Sequence, residues 1–370
     1  MSTRKPRVAV VFGGRSSEHA VSCSTAASVL SVIDTDRYDV VPIGISTDGK
    51  WVLESGDAER LALTAGHVPE VDATSAAVVV SQDPTRREIT VAEPGKTPHE
   101  LGEVDVVFPL LHGPWGGDGT IQGLFEVAGI RYVGSGVLAS AVGMDKHYMK
   151  VVLAGAGLPV IPYVVIKPRQ WEHDAPAARE AVKALGYPVF VKPARGGSSL
   201  GISKVRSEDE LDAAVEHARE FDPKVLVEPS AEGAREVECG VLERLEGGAD
   251  ASQVAEITGY GAHEFYDFEA KYLGEEGVTL DVPANLRDDV IEQIQQLSVA
   301  AFEALDCEGL ARVDFFVQSD GSIAINEINT MPGFTPASMY PRMWAESGVD
   351  YPELVERLLA LALRRSTGLR

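Results

Sequence analysis

The sequence predicts an α/β protein of two or three domains: a parallel sheet first, then two β-rich α+β units. Three observations point there. The chain has 370 residues and 45% hydrophobic content, enough for several cores at ~100–200 residues per domain. Short apolar runs alternate with helical stretches from Val8 to Gly129, the βαβ pattern of a parallel sheet. Beyond Met144 the texture changes to alternating, glycine-punctuated runs of the hairpin type.

Taken in order, VAVVF (residues 8–12) is a buried strand broken by Gly13-Gly14. Basic residues precede it, but the run is shorter than the ~7–15 apolar residues of a signal peptide. SSEHAVSCSTAASVLSVI has small and apolar residues at helical spacing, YDVVPIGIS is a second strand, and VDVVFPLLHG is another ending in a glycine-rich turn. GTIQGLFEVAGI places Ile121, Leu124, Phe125 and Ala128 on one helical face, with Gly129 as its stop. The glycine loops at residues 13–14 and 113–119 fall beyond strand C-termini, where sheets of this kind bind ligands. PVIPYVVIK and YPVFVKP are strands of a second unit, and residues 224–248 and 309–329 read as hairpins. Boundaries are expected near residues 142 and 225, giving units 1–142, 143–225 and 226–370. Residues 261–283, aromatic and acidic without a clear period, are expected to be a lid or binding loop.

Charge and cysteine usage narrow the function. Lys plus Arg number 33 against 56 Asp plus Glu, a formal net charge of −23. Such a field repels nucleic acid and anionic membrane surfaces. An anionic ligand would need locally placed lysines, a metal, or both. No long apolar span is present. Cys23, Cys239 and Cys307 are isolated, so neither a disulfide framework nor a CxxC metal site is expected, and the eight histidines show no HExxH spacing. A reduced, soluble, cytoplasmic protein is expected.

Two stretches carry chemistry. In RVDFFVQSDGSIAINEIN, Asp320-Gly321 between alternating runs predicts a two-residue hairpin turn. That turn places Asp314 opposite Glu327 and Arg312 opposite Asn329, with all four side chains on one face. Opposed carboxylates repel and need neutralising. A hard divalent cation with oxygen ligands does this, Asn329 supplying a third oxygen. Mg²⁺ suits, since it takes few protein ligands and completes its shell with phosphates and water. Phe316 and Ile325 would extend that face as an apolar floor. The plainer alternative is a solvated face in which Arg312 pairs with the acids. In VFVKPARGGSSLG, Lys192 ends an apolar strand beside Gly196, Gly197, Ser198, Ser199 and Gly201. A point charge with exposed backbone N–H groups suits phosphate oxygens, though a surface turn would look similar. Two other phosphate motifs fail. EPGKT lacks the first glycine of a Walker A loop, having Thr90 there, and reads as a turn. GSGVLA, residues 134–139, has no acidic partner at ribose distance. Lysine and acids together suggest a nucleoside triphosphate held between two domains.

With FGGRSSEHAVS, LHGPWGGDGTIQGLFE, GSGVLASAVGMDK, VKPARGGSSLG, FYDFEAKY, ARVDFF and NEINTMPGFTPASMYP in order, nearly the whole chain resembles the D-alanine–D-alanine ligase family of the ATP-grasp superfamily. The resemblance implies a three-domain ATP-grasp architecture in which the two α+β domains clasp ATP. It further implies that Lys146 and Lys192 contact ATP phosphates. Glu228 and the backbone to Ala231 would read the adenine amino group, and Glu236 the ribose. Asp314, Glu327 and Asn329 would be the metal ligands for Mg²⁺ (or Mn²⁺), two ions with ATP. Glu18, near His112, would hold the first D-alanine. Arg312 and the Gly333 N–H would form the oxyanion site, Ser338 and Met339 would hold the second carboxylate, and Lys271 would reach the transferred phosphate. Glu18, Ser198 and Tyr272 would latch the lid. Plainer roles stay open: Glu18 at a helix N-terminus, His112 capping a turn, Tyr272 packing in a loop. Pro229 departs from the lysine common in the family and removes an N–H there. ATP and D-alanine are the expected partners, with no nucleic acid or membrane, and a homodimer is expected. Rival readings are a D-alanine–D-lactate ligase of the same family and a non-catalytic ATP-binding regulator. The intact EAKY argues against the first, the full set of acids, arginine and lysines against the second.

Overall fold

A computed structural model describes residues 4–64, 66–93, 95–258 and 279–368. Among them three sheets divide the fold. The first has eight strands: β1 (Arg7–Gly13), β2 (Asp39–Ile45), β3 (Trp51–Leu53), β4 (Ala77–Val80), β5 (Glu88–Ala92), β6 (His99–Glu103), β7 (Val106–Pro109) and β8 (Arg131–Tyr132), in the order β6-β5-β4-β3-β2-β1-β7-β8. Its β2-β1-β7-β8 half is parallel, as the βαβ alternation requires, while β3 to β6 add an antiparallel extension. That extension escaped the sequence reading because its strands are short and half exposed. β1 is buried on both faces. Val8, Val10 and Phe12 pack toward the C-terminal helix Tyr351–Arg364 through Leu354 and Leu358, and Ala9 and Val11 pack toward Ile121 and Phe125 of the helix Thr120–Val127. Two-sided burial explains its unbroken apolar run.

The second sheet, order β11-β10-β12-β9, contains β9 (Val164–Ile166), β10 (Val189–Pro193), β11 (Ser203–Val205) and β12 (Val225–Pro229). Here the expected boundary at residue 225 is corrected. β12 pairs with β10 from Val189↔Pro229 to Pro193↔Val225 and so belongs to the central sheet. The third sheet, order β15-β14-β13-β16-β17, contains β13 (Arg235–Glu243), β14 (Ala249–Thr258), β15 (Thr279–Asp281), β16 (Leu310–Val317) and β17 (Ile323–Asn329). Met149 and Leu153 of the helix Lys146–Gly155 pack into this sheet's core with Phe315 and Ile325. The final helix returns to the first sheet. Neither segment stays within the sequence unit expected for it, because apolar faces seek whichever sheet is uncovered.

The β16–β17 hairpin shows how the register of the acid pair arises. Asp314 lies opposite Glu327 and Arg312 opposite Asn329, as expected. The turn, however, is not a two-residue one. The Gln318 amide donates to Ser322 O at 2.8 Å and the Gly321 amide to Gln318 O at 2.9 Å, leaving three loop residues with Gly321 at φ 86°. A bulge between Asp314 and Phe315 restores the register further along, since Phe315 pairs with Ile325 and Asp314 with Glu327, so Asn326 is the extra residue. The apolar-floor expectation is therefore half corrected. Phe316 faces the cleft, but Ile325 is fully buried in the core on the opposite face.

Candidate active site

Two adjoining cavities lie where the three sheets meet. One, of about 370 Å³, lies between the second and third sheets and includes Lys192, Glu228, Ala231, Glu236 and Asp314 in its lining. The other, of about 170 Å³, includes Glu18, His112, Arg312, Asn329, Gly333, Ser338 and Met339. Lys146, Gly196, Gly197, Ser198, Glu238 and Glu327 line both. All the expected site residues except two are thus gathered here. Lys271 and Tyr272 lie outside the described residues.

The lysine end is built on the helix Lys146–Gly155. Asp145 caps it by accepting from the His147 and Tyr148 amides at 3.2 and 3.3 Å. Lys146 and Lys150, one turn apart, share a face. Lys146 Nζ donates to Gly196 O at 3.0 Å and lies 3.2 Å from Glu327. Lys150 Nζ lies 2.6 Å from Glu228 Oε1 and donates to the carbonyl of the bulged Asn326 at 3.2 Å. Lys192 takes the other oxygen of Glu228. Burial alone would raise the Glu228 carboxyl, yet the Lys192 and Lys150 ammoniums outweigh it and hold it below the ordinary carboxylate range. Burial pushes the Lys150 ammonium down, with Glu228 opposing. This environment differs from the one expected for Glu228: its carboxylate is engaged by lysines, leaving Pro229 O and the Ala231 amide for a base. The Ser230 amide is already donated to Pro188 O at 2.9 Å.

In the third sheet Glu238, Asp314 and Glu327 stand in one row across β13, β16 and β17. Arg312 donates to both oxygens of Asp314 at 2.7 Å and lies 3.2 Å from Glu238. Burial would depress this guanidinium, but Asp314 and Glu238 raise it well above its ordinary value. The Asn329 side-chain oxygen accepts from the Met331 amide at 3.1 Å. Asp314 and Glu327 line the larger cavity and Glu327 and Asn329 the smaller one, so the three oxygen donors stand where the cavities adjoin. They are hard donors of the kind a divalent cation takes, and here Arg312 engages both oxygens of Asp314.

At the far end, Ser198 Oγ donates to Glu18 Oε1. Glu18 is buried at 7% exposure, beneath two glycines. A Cβ on Gly113, at φ 72°, would stand 2.6 Å from its Oε2, and one on Gly197 3.1 Å. His112 is buried with Nδ1 3.2 Å from Met331 O and Nε2 3.4 Å from Thr25 Oγ1. Burial lowers its pKa, with Glu18 opposing. Ser338 stands at the N-cap of the helix Met339–Glu346 without capping it, its Oγ 2.8 Å from Thr335 Oγ1. The open helix N-terminus suits a carboxylate. Lys150 and Glu238 were missed from the sequence. Their signals were there: each shares a face with an expected residue, Lys150 four positions after Lys146 and Glu238 two after Glu236.

Comparison with known proteins shows the family. The family model "D-ala D-ala ligase N-terminus" matches residues 7–135 and "D-ala D-ala ligase C-terminus" residues 152–360. A relative from Streptomyces griseus named D-alanine--D-alanine ligase is 58% identical over 99% of this chain and 95% of its own length. Among solved structures, the VanG D-Ala:D-Ser ligase from Enterococcus faecalis is similar with TM-score 0.83 and 36% identity over 97% of this chain and all of that one. The D-alanine-D-alanine ligase from Coxiella burnetii is similar with TM-score 0.80 and 32% identity, covering 98% of this chain and 94% of that one.

Proposed function

We infer the reaction from the premise that this chain belongs to the D-alanine–D-alanine ligase family, both of whose models it matches. It is an ATP-dependent ligase that joins two D-alanines into D-alanyl-D-alanine for peptidoglycan precursors, releasing ADP and phosphate. The observation that carries the assignment of residues is the shared wall of the two cavities, which sets a lysine-lined cleft of about 370 Å³ against a smaller one of about 170 Å³ lined by Glu18, Arg312 and Ser338.

The family needs a divalent metal. For this chain we assign Asp314, Glu327 and Asn329 as ligands of Mg²⁺ (or Mn²⁺), two ions with ATP. The metal, when bound, neutralises triphosphate charge. Lys146 and Lys192 hold phosphate oxygens, Pro229 O and the Ala231 amide read the adenine, Glu236 holds the ribose, and Glu228 acts through its lysines. Glu18 holds the first D-alanine's ammonium beside His112. The carboxylate of that alanine attacks the γ-phosphorus, the bond to ADP breaks, and a D-alanyl phosphate results. The second D-alanine, its carboxylate held by Ser338 and the Met339 amide, attacks the acyl carbon through its free amine. Charge collecting on the carbonyl oxygen meets Arg312 and the Gly333 N–H, and phosphate leaves. Lys271 meets the transferred phosphate, and Tyr272 joins Glu18 and Ser198 in closing the site against water. A cytoplasmic homodimer completes the reading. No helix among the described residues is long and apolar enough to cross a membrane.

Incubation with ATP, Mg²⁺ and D-alanine tests the reading. ADP, phosphate and a dipeptide detected by mass are expected, with L-alanine a poor substrate. AMP and pyrophosphate would reject acyl-phosphate chemistry.

A further inference from the structure

We propose that Lys150 is a positioning residue for the nucleotide, one that keeps Glu228 from neutralising Lys192 in the phosphate cleft. The proposal rests on the reading of that cleft as the ATP site. Lys150 is fully buried and lines neither cavity, so it cannot touch a ligand directly. Lys192, at 9% exposure, opens into the cleft, and Glu228 at 2% lies between the two lysines. One carboxylate oxygen takes Lys150 at 2.6 Å and the other takes Lys192.

The charge count decides what each member does. Glu228 and Lys192 alone would form a neutral buried pair. Such a pair presents little attraction to phosphate, and its lysine is held tightly by the acid. Lys150 adds one positive charge behind Glu228, so the group carries one net positive charge in the wall of the cleft. When Lys192 turns toward phosphate, Glu228 keeps a partner and is not left buried and alone. The third contact of Lys150, to Asn326 O at 3.2 Å, ties this triad to the bulge that precedes Glu327. Lys150 thereby joins the helix Lys146–Gly155, the second sheet and the third sheet behind the nucleotide.

ATP binding by calorimetry and steady-state kinetics on Lys150→Met, Lys150→Arg, Lys192→Met, and Lys150→Met/Glu228→Gln test the idea. Lys150→Met should weaken ATP binding and raise its KM by about tenfold or more, while the D-alanine KM stays within about twofold. Lys150→Arg should recover most of the loss. The double variant restores one net positive charge, since an uncharged amide at position 228 does not neutralise Lys192, and should bind ATP more tightly than Lys150→Met. Should Lys150→Met not fold, the double variant carries the test, and it should bind ATP more tightly than Lys192→Met. An ATP affinity unchanged in Lys150→Met, or a double variant as weak as Lys192→Met, overturns the proposal. If Lys192→Met itself binds ATP normally, the phosphate-site reading fails first and the inference falls with it.

Discussion

Ser198→Ala isolates the contact that joins the glycine-rich loop after Pro193 to Glu18 in the smaller cavity. In the structure Ser198 Oγ donates to Glu18 Oε1, a carboxylate buried at 7% exposure. A hydrogen bond to a charged group contributes about 1.5–3 kcal/mol. If that bond is made fully only with the site closed, its loss slows the reaction by about tenfold to 150-fold at 1.36 kcal/mol per factor of ten. The loop adds a second effect. Ser198 and Ser199 sit at φ 51° and 59°, a left-handed conformation that costs about 1–2 kcal/mol for each non-glycine residue. The Glu18 bond helps hold that geometry, so without it the loop relaxes and water reaches the acyl phosphate more often. Both consequences are measurable in one assay that follows ADP by a coupled enzyme and dipeptide by mass. Turnover should fall within the stated range, and phosphate released per dipeptide should rise above one. Ser198→Gly separates the two effects, because glycine loses the same hydroxyl but tolerates positive φ. Full turnover with one phosphate per dipeptide in Ser198→Ala would refute the reasoning.

Two further expectations follow from the same geometry. Asp314→Asn and Glu327→Gln should each raise the Mg²⁺ concentration at half-maximal turnover by about tenfold or more, with near-native circular dichroism; wild-type turnover at limiting Mg²⁺ in both would remove them as ligands. The three thiols are buried and pushed up, Cys23 and Cys307 to about 12 and Cys239 to about 11, chiefly by burial. A raised thiol pKa means that the protonated form persists at pH 8 while the protein is folded, so a thiol-titrating reagent should find almost no reactive cysteine in the native protein and three in urea.

Local patterns made much of the site legible in the sequence. Residues 310–329 carry their own partner within one hairpin, so alternation alone brought Asp314 to Glu327 and Arg312 to Asn329. That success had a compensated error inside it. A three-residue turn moved the register by one, and the bulge at Asn326 moved it back. Turn length and bulges depend on backbone conformations that residue types only bias, which is why Ile325 was assigned to the wrong face. The helix Thr120–Val127 and its stop were likewise readable, since Gly129 adopts φ 65° as the left-handed position there requires.

What the sequence determined by itself was thus the parallel half of the first sheet, the lysine-ended strand with its glycine loop, and the acid pair. Each rests on spacing within a few residues. Tertiary structure alone decided the rest. Glu18 and Ser198 are 180 residues apart in sequence, and Lys150, Lys192 and Glu228 come from three separate elements. No periodicity encodes such meetings. The second follows from how the helix Lys146–Gly155 buries Met149 and Leu153 under the third sheet, which aims Lys150 at Glu228 of the second sheet. Burial of apolar faces is non-directional and chooses partners by the shape of the whole. The charged groups carried along must then pair where they land, because a lone charge is too costly to bury.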